Sequence, residues 1–154
     1  MHKAARSGVA LWAILAIASI GAPSPAPAAG QPSILGLWKT GPKNGEIRIE
    51  PCGDAVCGRI ITSPALQSHP DARDARNPDP GLRARSLKGL RIIDHLKRDG
   101  EGWSGGAIYN PWDGRTYQAS VVLDGPDRLK LKGCVVFPIC QTQTWTRLPA
   151  DPAG

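Results

Sequence analysis

Apolar and polar residues alternate one for one through several stretches of this chain, and that period of two constrains its fold more than any other feature. Glu46-Ile47-Arg48-Ile49-Glu50, Tyr117-Gln118-Ala119-Ser120-Val121 and Arg128-Leu129-Lys130-Leu131-Lys132 all follow it. Alternation of this kind sets one face of a segment against a core and the other in water, as half-buried antiparallel strands require. Beyond Ile34 no stretch keeps helical periodicity for three turns.

Gly, Pro, Asn and Asp divide the alternating segments. Gly41-Pro42-Lys43-Asn44-Gly45, Asp99-Gly100-Glu101-Gly102, Asn110-Pro111-Trp112-Asp113-Gly114 and Gly125-Pro126-Asp127 supply the backbone angles that tight hairpins need. The punctuation predicts strands near residues 35–40, 46–52, 56–63, 90–97, 102–109, 115–123, 128–136 and 141–148. Short connections make a meander, and a meander of about eight strands with one apolar face hides its edges by closing. The expected fold is therefore all-β: a small closed or nearly closed antiparallel up-and-down barrel. One connection, residues 64–88, is long, polar and Pro-rich, with Asp71, Arg73, Asp74, Arg76, Asp79, Arg83 and Arg85. A segment of that length inside a small domain is functional or disordered, and its plainest reading is a solvated surface loop.

The first residues read differently. Lys3 and Arg6 precede an apolar run from Val9 to Ile20, and Ala26-Pro27-Ala28 offers small residues for cleavage. This is the pattern of a secretory signal peptide, and the run is shorter than the ~20 residues of a membrane span. The expected organisation is a signal peptide at 1–28, a short flexible N-terminus at 29–33, the barrel at 34–148 and a flexible tail at 149–154, in the periplasm or secreted. No integral span is expected in the mature chain. Removing Lys3 and Arg6 lowers the formal charge from +6 to +4. The basic residues Arg48, Arg59, Arg115 and Lys130 are scattered singly, which argues against nucleic acid as a partner.

All four cysteines, Cys52, Cys57, Cys134 and Cys140, lie beyond the leader. An even count in an oxidising compartment favours two disulfides, and four cysteines permit three pairings. The local pairs Cys52–Cys57 and Cys134–Cys140 are the favoured ones, each stapling a hairpin end. Metal binding is disfavoured, because neither pair has C-x-x-C spacing and no His lies close by in sequence. No metal and no cofactor is expected.

Taken in order, the motifs resemble a known family. Gly36-Leu37-Trp38 resembles the Gly-x-Trp of lipocalin-like barrels. Cys52-Gly53, Cys57-Gly58, Asn77-Pro78-Asp79-Pro80 and Leu82-Arg83-x-Arg85-x-Leu87-x-Gly89 follow it. Then come Trp103-x-Gly105-Gly106-x-Ile108-Tyr109-Asn110-Pro111, Asp113-Gly114-x-Thr116-Tyr117, Gly133-Cys134 with Cys140, and Gln143-Thr144-Trp145-Thr146-Arg147. Over residues 36–147 these are similar to the bacterial exported family called domain of unknown function 2147. The resemblance implies a lipocalin-like barrel of about eight strands, secreted or periplasmic, with no established reaction. Two positions depart from it: Asn110 stands where an acidic residue is common, and Trp112 where a polar one is usual.

Little in the chain suggests catalysis. Only His2, His69 and His95 are present, no Gly-x-Ser-x-Gly elbow occurs, and no Gly-rich phosphate loop opens a helix. The expectation is a non-enzyme. A small barrel either fills its interior with side chains or keeps room for one ligand. Trp38, Trp103, Tyr109, Tyr117 and Trp145 line such a cavity on the binding reading and form the core on the structural one. Arg147 is expected over Trp38, plugging one end by a cation–π contact. Arg83 and Arg85 either hold an anionic head group or are neutralised by the Asp residues of their own loop. Trp112 is a lip toward a ligand or folds over its own hairpin. Two functions follow. The first is an exported carrier or sensor for a small amphipathic ligand. The second is a module with a solid core that binds an envelope protein through an apolar patch around residues 110–114.

Overall fold

The alternating segments become strands in the computed structural model, which describes residues 33–149. The expected signal peptide, most of the short N-terminus and the end of the tail lie outside those residues. The strands are β1 (Gly36–Lys39), β2 (Glu46–Cys52), β3 (Ala55–Thr62), β4 (Arg91–Asp99), β5 (Gly102–Asn110), β6 (Arg115–Leu123), β7 (Arg128–Val136) and β8 (Ile139–Arg147). Each pairs antiparallel with the next, and β8 returns to β1 through Trp38↔Arg147 and Lys39↔Thr146. The result is a closed up-and-down barrel of eight strands, as the pattern predicts, with no free sheet edge.

Antiparallel order sorts the connections to two ends. The β2–β3, β4–β5 and β6–β7 turns share the terminal end with residues 33–35 and 148–149. The β1–β2, β3–β4, β5–β6 and β7–β8 connections share the other, here called the strap end.

Inside, the buried positions are the alternate ones. Trp38, Ile47, Ile49, Ile93, Leu96, Trp103, Val121, Leu129, Leu131 and Trp145 form one cluster. Register decides who meets whom: Leu129 faces Trp145, and Trp38 faces Ile47. At Gly106 two strand backbones come close together, since a Cβ there would collide with the carbonyl oxygen of Asp94. His95 beside it has φ of +50°, and the pairing of β3 with β4 shifts between Val56 and Gly58. This local bulge re-aims the chain so that both Ile93 and Leu96 reach the interior.

The long connection between β3 and β4 is structured. Ser63 caps a short helix, α1 (Pro64–Ser68), by accepting the amide of Leu66 at 3.2 Å, with Pro64 in the first turn. A 3₁₀ turn at Pro80–Leu82 is capped by Asp79 in the same way. Arg73 bridges to Ser86, folding the segment back on itself as a strap. Neighbouring strand residues point to opposite faces, so burial of both Ile92 and Ile93 needs cover on both sides. Ile93 faces the interior. The strap covers the outer side, bringing Leu66, Ala72 and Leu87 into the core cluster. The segment is the surface loop that its charges predict, mostly in water, but it is ordered, because the apolar residues between those charges have a wall to pack against.

Candidate functional site

The terminal end carries a plug, beside an open cleft of about 340 Å³ bordered by Ile34, Pro51, Val56, Leu96, Arg98 and Trp103. Arg147 lies inward beside Trp38, its guanidinium 4.2 Å from the ring centre. Its nitrogens donate to the carbonyls of Leu35, Ser33 and Pro126 at 2.7 to 2.8 Å. Trp38 donates its own Nε1–H to Ile34 O at 2.8 Å. Trp103 lies under Arg98, 4.4 Å away, and Trp145 is 1% exposed. Trp38 and Trp145 are therefore core, Arg147 lies over Trp38 as expected of a plug, and Trp103, though 7% exposed, borders the cleft. Large apolar residues gather at that end, where residues 33–35, residues 148–149 and three hairpins converge.

The inward-facing rows change character toward the strap end. On β7 they run Leu129, Leu131, Gly133, Val135, and on β8 Trp145, Gln143, Gln141. Leu129 is 0% exposed, whereas Gln141 and Val135 are open to solvent. Gly133 and Ala119 are paired neighbours with little or no side chain, and Ile108 and Tyr117 flank them. The inward rows thus grade from large apolar and aromatic residues at the terminal end, through small residues at mid-height, to polar groups at the strap end, the region here called the cup. Beside the brim, Arg76 and Pro78 of the strap, Arg115 and Tyr117 of β6 and Val135 border an open cleft of about 480 Å³.

The strap is held by one buried carboxylate. Asp74 has a fully buried side chain. It accepts the Tyr109 hydroxyl at 2.5 Å, Asn77 Nδ2 at 2.8 Å, and Arg85 through Nε at 2.9 Å and Nη2 at 2.8 Å. Arg85 also lies 5.3 Å from the Tyr109 ring centre. Arg83 donates to the Asn77 carbonyl at 2.7 Å. Arg85 is thus neutralised by an Asp of its own loop, and Arg83 ties the strap together; neither lines the cleft. Burial, reinforced by the Asp74 carboxylate, pushes the Tyr109 hydroxyl above its ordinary pKa.

The β5–β6 turn meets the strap directly. Arg76 donates to the Trp112 carbonyl, and Gly114 is so close to the Arg76 carbonyl that no Cβ fits between them. Gly114 has φ of +71°, which glycine adopts without strain. Asn110 explains its own departure from an acidic residue: Nδ2 donates to Asp113 Oδ2 at 2.9 Å while Oδ1 accepts the Trp112 amide. A carboxylate could not donate there. Tyr117 donates to Asp113 Oδ2 at 2.6 Å, and that bond, with burial, holds its hydroxyl above the usual pKa. Trp112 is half exposed, and Lys43 Nζ of the β1–β2 connection stands 4.7 Å from its ring centre.

Cys52–Cys57 and Cys134–Cys140 are both disulfide-bonded. Cys57 adjoins Asp94 and His95 on the outer wall, but an oxidised sulfur is neither thiolate ligand nor nucleophile. Burial raises the Asp94 carboxyl, yet hydrogen bonds from His95 and Arg91 outweigh it and leave the pKa below the ordinary value.

One feature escaped sequence reasoning. Val135, Val136, Phe137 and Ile139 are 63%, 57%, 77% and 65% exposed, more than any other large apolar residues among those described. The expected apolar patch at residues 110–114 contains Trp112 alone; the larger one is the neighbouring β7–β8 tip. The signal was present, since five apolar residues between two cysteines contain none of the Gly, Asn or Asp that usually form a turn.

Among known proteins, the bacterial family described as "Uncharacterized protein conserved in bacteria (DUF2147)" matches residues 36–147. No curated protein matches the chain. Among solved structures, the chain is similar to one titled "Protein HP1028 from the human pathogen Helicobacter pylori belongs to the lipocalin family". The TM-score is 0.70 at 24% identity, covering 76% of this chain and 84% of that one. The likeness is one of fold, and it agrees with a lipocalin-like barrel.

Proposed function

This chain belongs to the DUF2147 family, and from that premise we propose that it is an exported, non-enzymatic protein that takes one small amphipathic molecule into the cup at its strap end. Two disulfides suit an oxidising compartment outside the cytoplasm, so the working location is the periplasm or the medium. A barrel of eight strands has room for one small ligand where its interior is not filled by side chains.

The observation that carries the reading is the change along the inward rows, from Leu129 and Trp145 at the floor to Gly133, Gln143 and Gln141 above. An apolar tail fits against Leu131, Ala119 and Ile108, where small side chains leave space. A polar or anionic head fits at the brim, near Arg115, Arg76 and Tyr117. The Arg83–Arg85 pair takes no part, because its groups hold the strap.

A thermal-shift screen with single-chain fatty acids and lysophospholipids tests this. At a hundredfold excess over Kd a ligand adds about 2.7 kcal/mol to stability, a plain rise in Tm. Gly133→Val fills the cup, since a Cβ there already touches Ile108 and Tyr117 at 3.5 Å. The variant should melt like the parent without ligand and lose the ligand-dependent rise. No rise with any such ligand, or an undiminished rise in Gly133→Val, overturns the reading.

A further inference from the structure

We propose that the β7–β8 hairpin is a membrane-docking tip that inserts into the interface of an anionic lipid bilayer. Val135, Val136, Phe137, Pro138 and Ile139 are all exposed at its turn. Phe137 is the only phenylalanine of the chain, and the fold places it 77% in water. Exposed apolar groups concentrated in one place mark a contact surface, whereas singly scattered ones need no explanation. Apart from Trp112 on the adjoining turn, the remaining exposed large apolar residues, Leu35, Leu82 and Val122, are dispersed.

The tip is pre-formed. Cys134 and Cys140 are backbone partners and disulfide-bonded at its base. Little conformational freedom is left to lose on insertion, so apolar transfer is not offset by ordering.

Charge around the tip selects the surface. Lys132 Nζ stands 5.8 Å from the Phe137 ring centre, and Lys43 Nζ 4.7 Å from that of Trp112 on the adjoining turn. Arg76 and Arg115 border the cleft that Val135 closes. Asp113, the acid that borders the same cleft, is engaged by Asn110, Tyr117 and the Arg115 amide. Apolar side chains at the point, an indole beside them and cations behind are the arrangement that reads an anionic interface: the apolar groups sink ~5–10 Å and the cations stay at head-group level. A second copy is less well suited. A turn of five residues is convex and smaller than the ~800 Å² per partner of a stable dimer. The docking is independent of whether the cup holds a ligand, and Phe137 and Ile139 do not border the cleft.

The test is sedimentation of the purified chain, its N terminus read by mass spectrometry, with vesicles of phosphatidylcholine alone or mixed with phosphatidylglycerol. The parent should partition onto the phosphatidylglycerol vesicles. Phe137→Ser with Ile139→Ser should lower that partition at least about tenfold, with no fall in Tm, since both side chains are exposed. Lys132→Gln should weaken it about fivefold on phosphatidylglycerol vesicles. Three results overturn the proposal: no binding by the parent, equal binding by the double variant, or a dimer in light scattering that the double variant abolishes.

Discussion

Arg147 and Trp38 are partners twice over: their backbones pair across the β1–β8 seam, and the guanidinium lies 4.2 Å from the indole centre. The contact closes the barrel and one of its ends at the same place. Arg147→Ala removes the cation–π contact and three carbonyl hydrogen bonds, and should cost about 2 to 4 kcal/mol. Arg147→Lys should recover less than half of that, since a point charge cannot reproduce the fork. Urea denaturation measures both; an unchanged midpoint for Arg147→Ala refutes the plug.

Asp74 should behave as the strap's single anchor. Asp74→Ala leaves Tyr109, Asn77 and Arg85 without their acceptor, and breaking a buried pair typically costs ~3–5 kcal/mol. Arg85 is 35% exposed and can turn to water, so about 2 to 3 kcal/mol is expected. The loss should be local. Trypsin should cut at Arg73, Arg76, Arg83 or Arg85 well before the barrel strands open, and equal rates for parent and variant would contradict this.

Gly114 tests the contact between strap and turn. Gly114→Ala imposes a left-handed backbone on alanine and drives a Cβ into the Arg76 carbonyl. Gly125, with φ of +88° and open space around it, is the control. Thermal melts should show Gly114→Ala falling by about 2 kcal/mol or more beyond Gly125→Ala.

The chain's two tyrosines, Tyr109 and Tyr117, both hold their protons more tightly in the folded state. A folded pKa above the unfolded value of 10.0 gives stability that is complete below about pH 10 and is lost as pH rises through the folded values. Tyrosinate absorbance should therefore appear at higher pH in the native protein than in urea, and Tyr117→Phe should leave one late step from Tyr109. Coincident titrations in the two conditions would be the contrary result.

The strands were legible because alternation and turn chemistry are local. Residues 46–52, 115–123 and 128–136 match their strands end to end. The start of β5 at Gly102 also matches, and the other ends differ by one or two residues, where hydrogen bonding beyond the apolar pattern extends or trims the ladder. The strap was less legible. Asp74 reads as one more charge in a polar loop, and only the approach of Tyr109 from a strand 35 residues away makes it a buried anchor. The aromatic residues were legible as inward-facing, but not as lining or filling, since that depends on how many meet at one end.

Periodicity, turn residues and paired cysteines thus carried the barrel, its strand order and the expectation of its staples, because each acts on backbone a few residues away. Assembly in three dimensions settled the rest: which end is plugged, which arginine meets a carboxylate and which apolar run stays in water. Those outcomes depend on contacts between distant segments, and the same Trp, Arg or Val becomes floor, latch or tip according to what the closed ring brings beside it.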